Sequence, residues 1–477
     1  MTSATLPSRA TLGRFAGLDA LRGFAILTMV LSGTVPEGIL PSWMYHCQVP
    51  PPHHKFDPTI AGITWVDLVF PFFLFCLGAA IPFALQRRME RGLTPLQAVG
   101  VTLKRGFLLF TFAIYQAHFS PYNLKTDPDW LRWVYALAGF VLLFPMMMRL
   151  PDSLAPAWHW AIRAVGWGGA AILLSRMRYA SGSPTFSLYR SNIILMLLTV
   201  SAVFGSLAWL FTRGNHLLRV GLLGFVMAHR LACGTHGWVK WLSDLVSVPG
   251  IWDLSYAHYL FIVIPASMAG DFMLQWTRQR DAGEKHSWAN WRYGALAALG
   301  VALMLVELVG LKARWVEATV VVSAVLIVAG LALVRKPGGE TEAFLQRMVQ
   351  WGGYWLLLGL AFEPYEGGIK KDPNTMSYFF VTTGLALYLI VTFTVLLDLW
   401  GVKCGTHLLV ANGQNPMIAY VGMGNLIHPL LALTGLGTLL ERLMPGPWLG
   451  TLQALLLTLL LAWIVSIFTR FKVFWRT

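Results

Sequence analysis

The chain has 477 residues, 56% of them hydrophobic and only 12% charged, about half the charged share of a typical soluble domain. That composition excludes an ordinary soluble enzyme and points to an all-α, polytopic membrane protein, because the apolar runs are helix-length rather than the short alternating segments of a barrel. The formal net charge of +14 would suggest nucleic acid in a soluble protein. Here Lys and Arg cluster at the ends of the apolar runs, where topology and anionic lipid heads account for them, so nucleic acid is not expected as a partner.

In chain order, a short tail (1–17) carries Arg9 and Arg14 and no separate apolar core of a signal peptide. Two apolar runs follow, at about 19–35 and 65–85, separated by a polar loop (36–64) holding His46, His53 and His54. Arg87, Arg88 and Arg91 follow the second run, and Lys104 and Arg105 open the third (102–118). Positive loops stay inside, so 86–103 reads as a cytoplasmic linker and 36–64 as an outer loop. Further runs lie near 131–148, 157–175, 190–212, 216–232, 254–275, 292–311 and 315–334. After the linker 335–345, containing KPGGETE, come runs at 346–362, 378–399, 406–430 and 449–469. This gives 12–14 spans in one integral membrane domain (1–477), with both termini cytoplasmic.

Ionisable and polar groups inside such runs are costly and mark function or helix pairing. Asp19 and Arg22, three apart on one helix face, can pair. Asp67 stands in the first turn of its run, where the helix dipole favours a carboxylate. It could orient an imidazole from the loop, His54 being thirteen residues away, and make it a base near neutral pH. Equally, Asp67 reads as a plain N-terminal charge with His53 and His54 solvated. A metal centre from His46, His53, His54 and Asp57 matches no zinc spacing, and no metal is expected. The four cysteines form no CxxC pair; Cys47 and Cys233 could share the outer face. Asn412, Gln414 and Asn415 interrupt an apolar run beside Gly413 and Pro416. Unwound backbone of this kind lines a cavity, or the amides bond between helices. Soluble-enzyme motifs such as GxSxG, Walker A and HExxH are absent.

LDALRGFAI followed by TWVDLVFPFFLFCLGAAIPFAL resembles the opening of the heparan-α-glucosaminide N-acetyltransferase family. IKKDPNTMSYF is similar to that family's Asn-Lys-x-Leu-Trp-x-x-Ser stretch and aligns Lys371 and Ser377. NGQNPMIAYVG is similar to its Gly-x-Asn-x-x-x-x-Tyr-Val-Gly stretch, and KVFWR to its closing motif. The resemblance implies a helical membrane bundle that takes acetyl from cytosolic acetyl-CoA to an amino sugar on the far side. It implies that His54, with His53 beside it, matches the family's loop histidine, that Asp67 orients it, and that Lys371 and Ser377 belong to the acceptor side. Acyl transfer also needs an oxyanion donor, for which the broken helix offers Asn415, and cations for the CoA phosphates, for which Arg87, Arg88, Lys104 and Arg105 are placed. The expected protein is therefore a membrane acetyltransferase of a bacterial inner membrane with a sugar or glycan acceptor; a carbohydrate or lipid-linked-precursor transporter and a non-catalytic relative are the alternatives. A homodimer is permitted but not required.

Overall fold

The computed structural model describes residues 15–248, 251–280 and 287–475. Most of the expected tail (1–14) lies outside them. Among the described residues the first half contains α1 (Ala16–Ser32), α2 (Trp65–Glu90), α3 (Pro95–Phe119), α4 (Leu131–Met147), α5 (Pro156–Arg176), α6 (Ile193–Phe211), α7 (His216–Ala232), α8 (Trp238–Val246) and α9 (Leu260–Gln279). The second half adds α10 (Asn290–Lys312), α11 (Val316–Leu333), α12 (Glu340–Ala361), α13 (Met376–Phe393), α14 (Thr406–Gln414), α15 (Pro416–Gly422), α16 (His428–Thr434), α17 (Leu436–Leu443) and α18 (Pro447–Arg470). Strand pairing among these residues is limited to isolated bridges.

Among the described residues nine helical segments are long and apolar enough to cross a membrane, which is the helical bundle the composition calls for. The count falls short of 12–14. The remaining expected spans are helices, but α1, α4 and α7 have only 17 residues each, and α5 and α12 carry polar residues such as Arg163, Glu340 and Glu342. The linkers also shrink. α2 runs on to Glu90 and α3 begins at Pro95, so only four residues of 86–103 are non-helical; α12 likewise starts inside 335–345.

Depth in the bundle follows apolar pattern. α13 is buried at every position from Met376 to Thr392, as a helix without a polar stripe must be. α11 and α18 leave most of their apolar surface open, which suits helices that face lipid. α1 and α14 meet backbone to backbone: a methyl added at Gly23 would stand 1.8 Å from Leu409 O, and one at Gly413 1.8 Å from Asp19 O. Only glycine allows this approach. Arg22 lies 3.5 Å from Asp19, as the spacing implies, and also donates to Gly413 O (3.1 Å) and Cys76 O (3.3 Å). One guanidinium thus joins α1, α2 and α14. The polar insert breaks the chain where expected, with Asn415 at φ −130°, ψ 50° between α14 and α15.

Candidate active site

The N-terminus of α2 is built by Thr64 and Asp67. Thr64 is extended (φ −121°, ψ 175°), and its N–H donates to Asp67 Oδ2 at 2.9 Å, one half of a capping box. Cys47 N donates to the same oxygen at 3.1 Å. The other oxygen, Oδ1, accepts from His46 Nδ1 at 2.8 Å. Asp67 is fully buried while His46 keeps 40% of its side chain exposed. The carboxylate therefore holds the imidazole with its proton on Nδ1 and its lone pair on Nε2, the arrangement a base or nucleophile requires.

A second loop supplies an amine. Lys371 Nζ stands 3.1 Å from His46 Nδ1 and 3.3 Å from Nε2, beside the ring rather than in line with one lone pair. Burial pulls this amine below the usual lysine range, and the nearby carboxylates of Asp67 and Asp372 oppose the shift. The loop is pinned from several sides. Gly62 N donates to Ile369 O (2.7 Å), Tyr378 Oη to Asp67 O (2.7 Å), and Arg230 to Glu366 Oε1 and Asn374 O (2.5 Å each). Lys312 Nζ reaches Cys47 Sγ at 3.3 Å; burial raises the Cys47 thiol above its ordinary range and Lys312 opposes that.

The histidine at Asp67 is thus His46, not His54. His54 sits at φ +48°, packs edge-on against Tyr45 (centroids 4.5 Å apart) and bonds Gly38 O at 3.1 Å through Nε2. It closes the loop on itself and leaves Asp67 to His46. His53 is exposed to solvent. Ser377 is buried early in α13 and its hydroxyl has no hydrogen-bond partner among the described residues. Asn415 is elsewhere: its amide donates to Val473 O at 2.7 Å, beyond the end of α18, so it does not join His46. The candidate disulfide pair, Cys47 and Cys233, are free thiols.

At the other end of α2, Arg88, Lys104 and Arg105 line a cavity of about 610 Å³ together with Arg163, Trp167 and Thr102. Arg87 is not among the lining residues. Arg163, which the sequence reading did not single out, donates to Pro145 O (2.8 Å) and Met148 O (2.6 Å) at the end of α4. Asp67 and Arg88 are separated by twenty-one residues of one helix, roughly 30 Å of rise and close to the thickness of a bilayer core.

Fold and site together define a polytopic helical membrane protein with a carboxylate-held histidine at one face and a basic cavity at the other. Residues 14–273, more than half of the chain, match the family described as "Domain of unknown function (DUF5009)", and the chain belongs to that family. It is also distantly related to the heparan-alpha-glucosaminide N-acetyltransferase of Mus musculus, at 29% identity over 106 residues. That match spans 22% of this chain and 14% of the mouse protein.

Proposed function

We propose that the protein is a transmembrane acyltransferase that accepts an acetyl group from cytosolic acetyl-CoA and delivers it to an amino or hydroxyl group of a sugar on the outer face. The observation that carries this reading is the His46–Asp67 pair, 2.8 Å apart, with Lys371 beside the ring. His46 Nε2 takes the proton of the acceptor as the acceptor attacks the thioester carbonyl, or attacks that carbonyl itself and passes the acyl group on; either way the carbon–sulfur bond breaks and CoA leaves as its thiolate, which the proton released by the acceptor neutralises. The developing negative oxygen is met by the Lys371 amine in its protonated form, a role for which Asn415 is misplaced. Arg88, Lys104, Arg105 and Arg163 receive the donor's phosphates, with Trp167 as an apolar wall. Both termini lie on the donor side of a bacterial inner membrane. The mouse relative, by its name an N-acetyltransferase acting on a glucosaminide, supports an amino sugar as first acceptor to try.

The test is transfer of labelled acetyl from acetyl-CoA to glucosamine and its oligomers by purified protein. His46→Ala abolishes transfer and His54→Ala leaves it near the wild-type rate. Transfer that survives His46→Ala, or a wild type that transfers nothing, overturns the proposal.

A further inference from the structure

A second group of reactive side chains converges at the end of α7. His229 and Cys233 are four residues apart, so they share a face of the helix end. His258 enters from the turn Leu254–Tyr259. One ligand atom of each lies within 4.8 Å of the others. His229 Nδ1 and His258 Nε2 are only 3.0 Å apart. Two imidazole lone pairs repel at that distance unless a proton or a cation lies between them. A tetrahedral centre with metal–nitrogen bonds of about 2.0–2.1 Å sets its nitrogens about 3.3 Å apart, close to the spacing found. A metal–sulfur bond of about 2.3 Å then needs Cys233 Sγ to move inward by at most about 1.5 Å. It would give up a weak bond to Arg230 O, at 3.5 Å.

The surroundings favour a cation. His229 keeps its other nitrogen 3.4 Å from Ser243 Oγ on α8, the outer hydrogen bond that fixes a ligating ring. Asp253 is near enough to act on both imidazoles. Arg230 next door opposes positive charge at His258, although it is paired with Glu366 at 2.5 Å. His258 is 6% exposed while Cys233 is only half-buried, so the cluster is open on its Cys233 side.

We propose that His229, Cys233 and His258 bind a divalent ion of the zinc type, through two imidazole nitrogens and a thiolate, with water in the fourth position. Two nitrogens and a sulfur suit zinc and exclude calcium and magnesium, which take oxygen ligands. Binding releases the thiol proton. Arg230 lies between two of the ligands in sequence and clamps Glu366 and Asn374. The ion would therefore stiffen the loop that presents Lys371. The inference does not depend on acyl transfer.

Full-length protein, tag removed and metal-depleted, is titrated with Co²⁺ in detergent. One equivalent binds with a thiolate-to-cobalt charge-transfer band, which Cys233→Ser removes, and His258→Ala weakens binding by about tenfold or more. Independently, Zn²⁺ slows maleimide labelling of Cys233 in wild-type membranes, read by peptide mass, and fails to do so with His258→Ala. Absence of both the band and the protection at equimolar metal overturns the proposal. So does Co²⁺ binding unchanged in a Cys233→Ser/His258→Ala double variant.

Discussion

Asp67→Asn tests the proposed chemistry most directly, because the buried contacts dictate how the new amide must sit. Oδ2 accepts from two backbone groups, Thr64 N at 2.9 Å and Cys47 N at 3.1 Å. Turning an NH₂ towards them would leave two buried donors facing a donor, at about 1–3 kcal/mol each. The amide oxygen therefore takes the Oδ2 position, and the NH₂ faces His46 Nδ1 at 2.8 Å. Nδ1 must then accept, and the ring proton moves to Nε2. The loop keeps its shape and the capping bond survives, yet the lone pair needed at Nε2 is gone. Loss of a positioned general base costs about 10²–10⁴ in rate. Labelled-acetyl transfer at saturating donor and acceptor should fall by that factor, while yield and melting temperature stay close to wild type. A variant folded as well as wild type and transferring within about threefold of its rate would refute the orientation argument.

Other outcomes follow from the same structure. Arg88→Ala and Arg105→Ala should each raise the KM for acetyl-CoA by about tenfold with little effect on kcat, since each removes a charge-assisted contact, whereas Arg87→Ala, outside the cavity, should not. Lys371 has a pKa lowered on folding, so its protonated form opposes folding below the folded pKa and this opposition fades as pH rises towards the ordinary lysine range. The melting-temperature difference of Lys371→Met over wild type should therefore be largest near neutral pH and shrink towards pH 10. Tyr378→Phe removes one buried bond to Asp67 O and should cost about 1 kcal/mol, read by chemical denaturation in detergent. Gly413→Ala puts a methyl into Asp19 O and should collapse the yield of folded protein on size exclusion, where Gly424→Ala, with open space around it, should not.

The helical membrane class was legible from long apolar runs, and Asp67 from its place in the first turn of one of them. The choice of histidine was not. His54 is nearer to Asp67 in sequence, but proximity along a loop says little about which side chain turns inward. His54 takes a left-handed backbone and spends its ring on Gly38 O, so the more distant His46 reaches the carboxylate. Lys371 meets His46 across 325 residues, a contact made by the folded loop that Gly62, Arg230 and Tyr378 hold in place. Asn415 looked like a site residue because it breaks a helix, yet the break serves the chain end near Val473. Arg163 was hidden because it lies within an apolar run and spends two bonds on the last carbonyls of α4. The group of His229, Cys233 and His258 was not singled out from the sequence; the fold brings its third member to the other two.

The backbone contact of α1 with α14 bears on how the protein is made. α1 leaves the ribosome well before α14, and the surface that receives its glycine emerges nearly four hundred residues later. Until then Gly23 and Asp19 have no seat, and Arg22 lacks the Gly413 carbonyl. α1 therefore rests against α2, held by Arg22 on Cys76 O, until α14 arrives to complete its seat. A fragment stopping at residue 273, where the family match ends, would insert with α1 against α2 but without the glycine seat that α14 supplies.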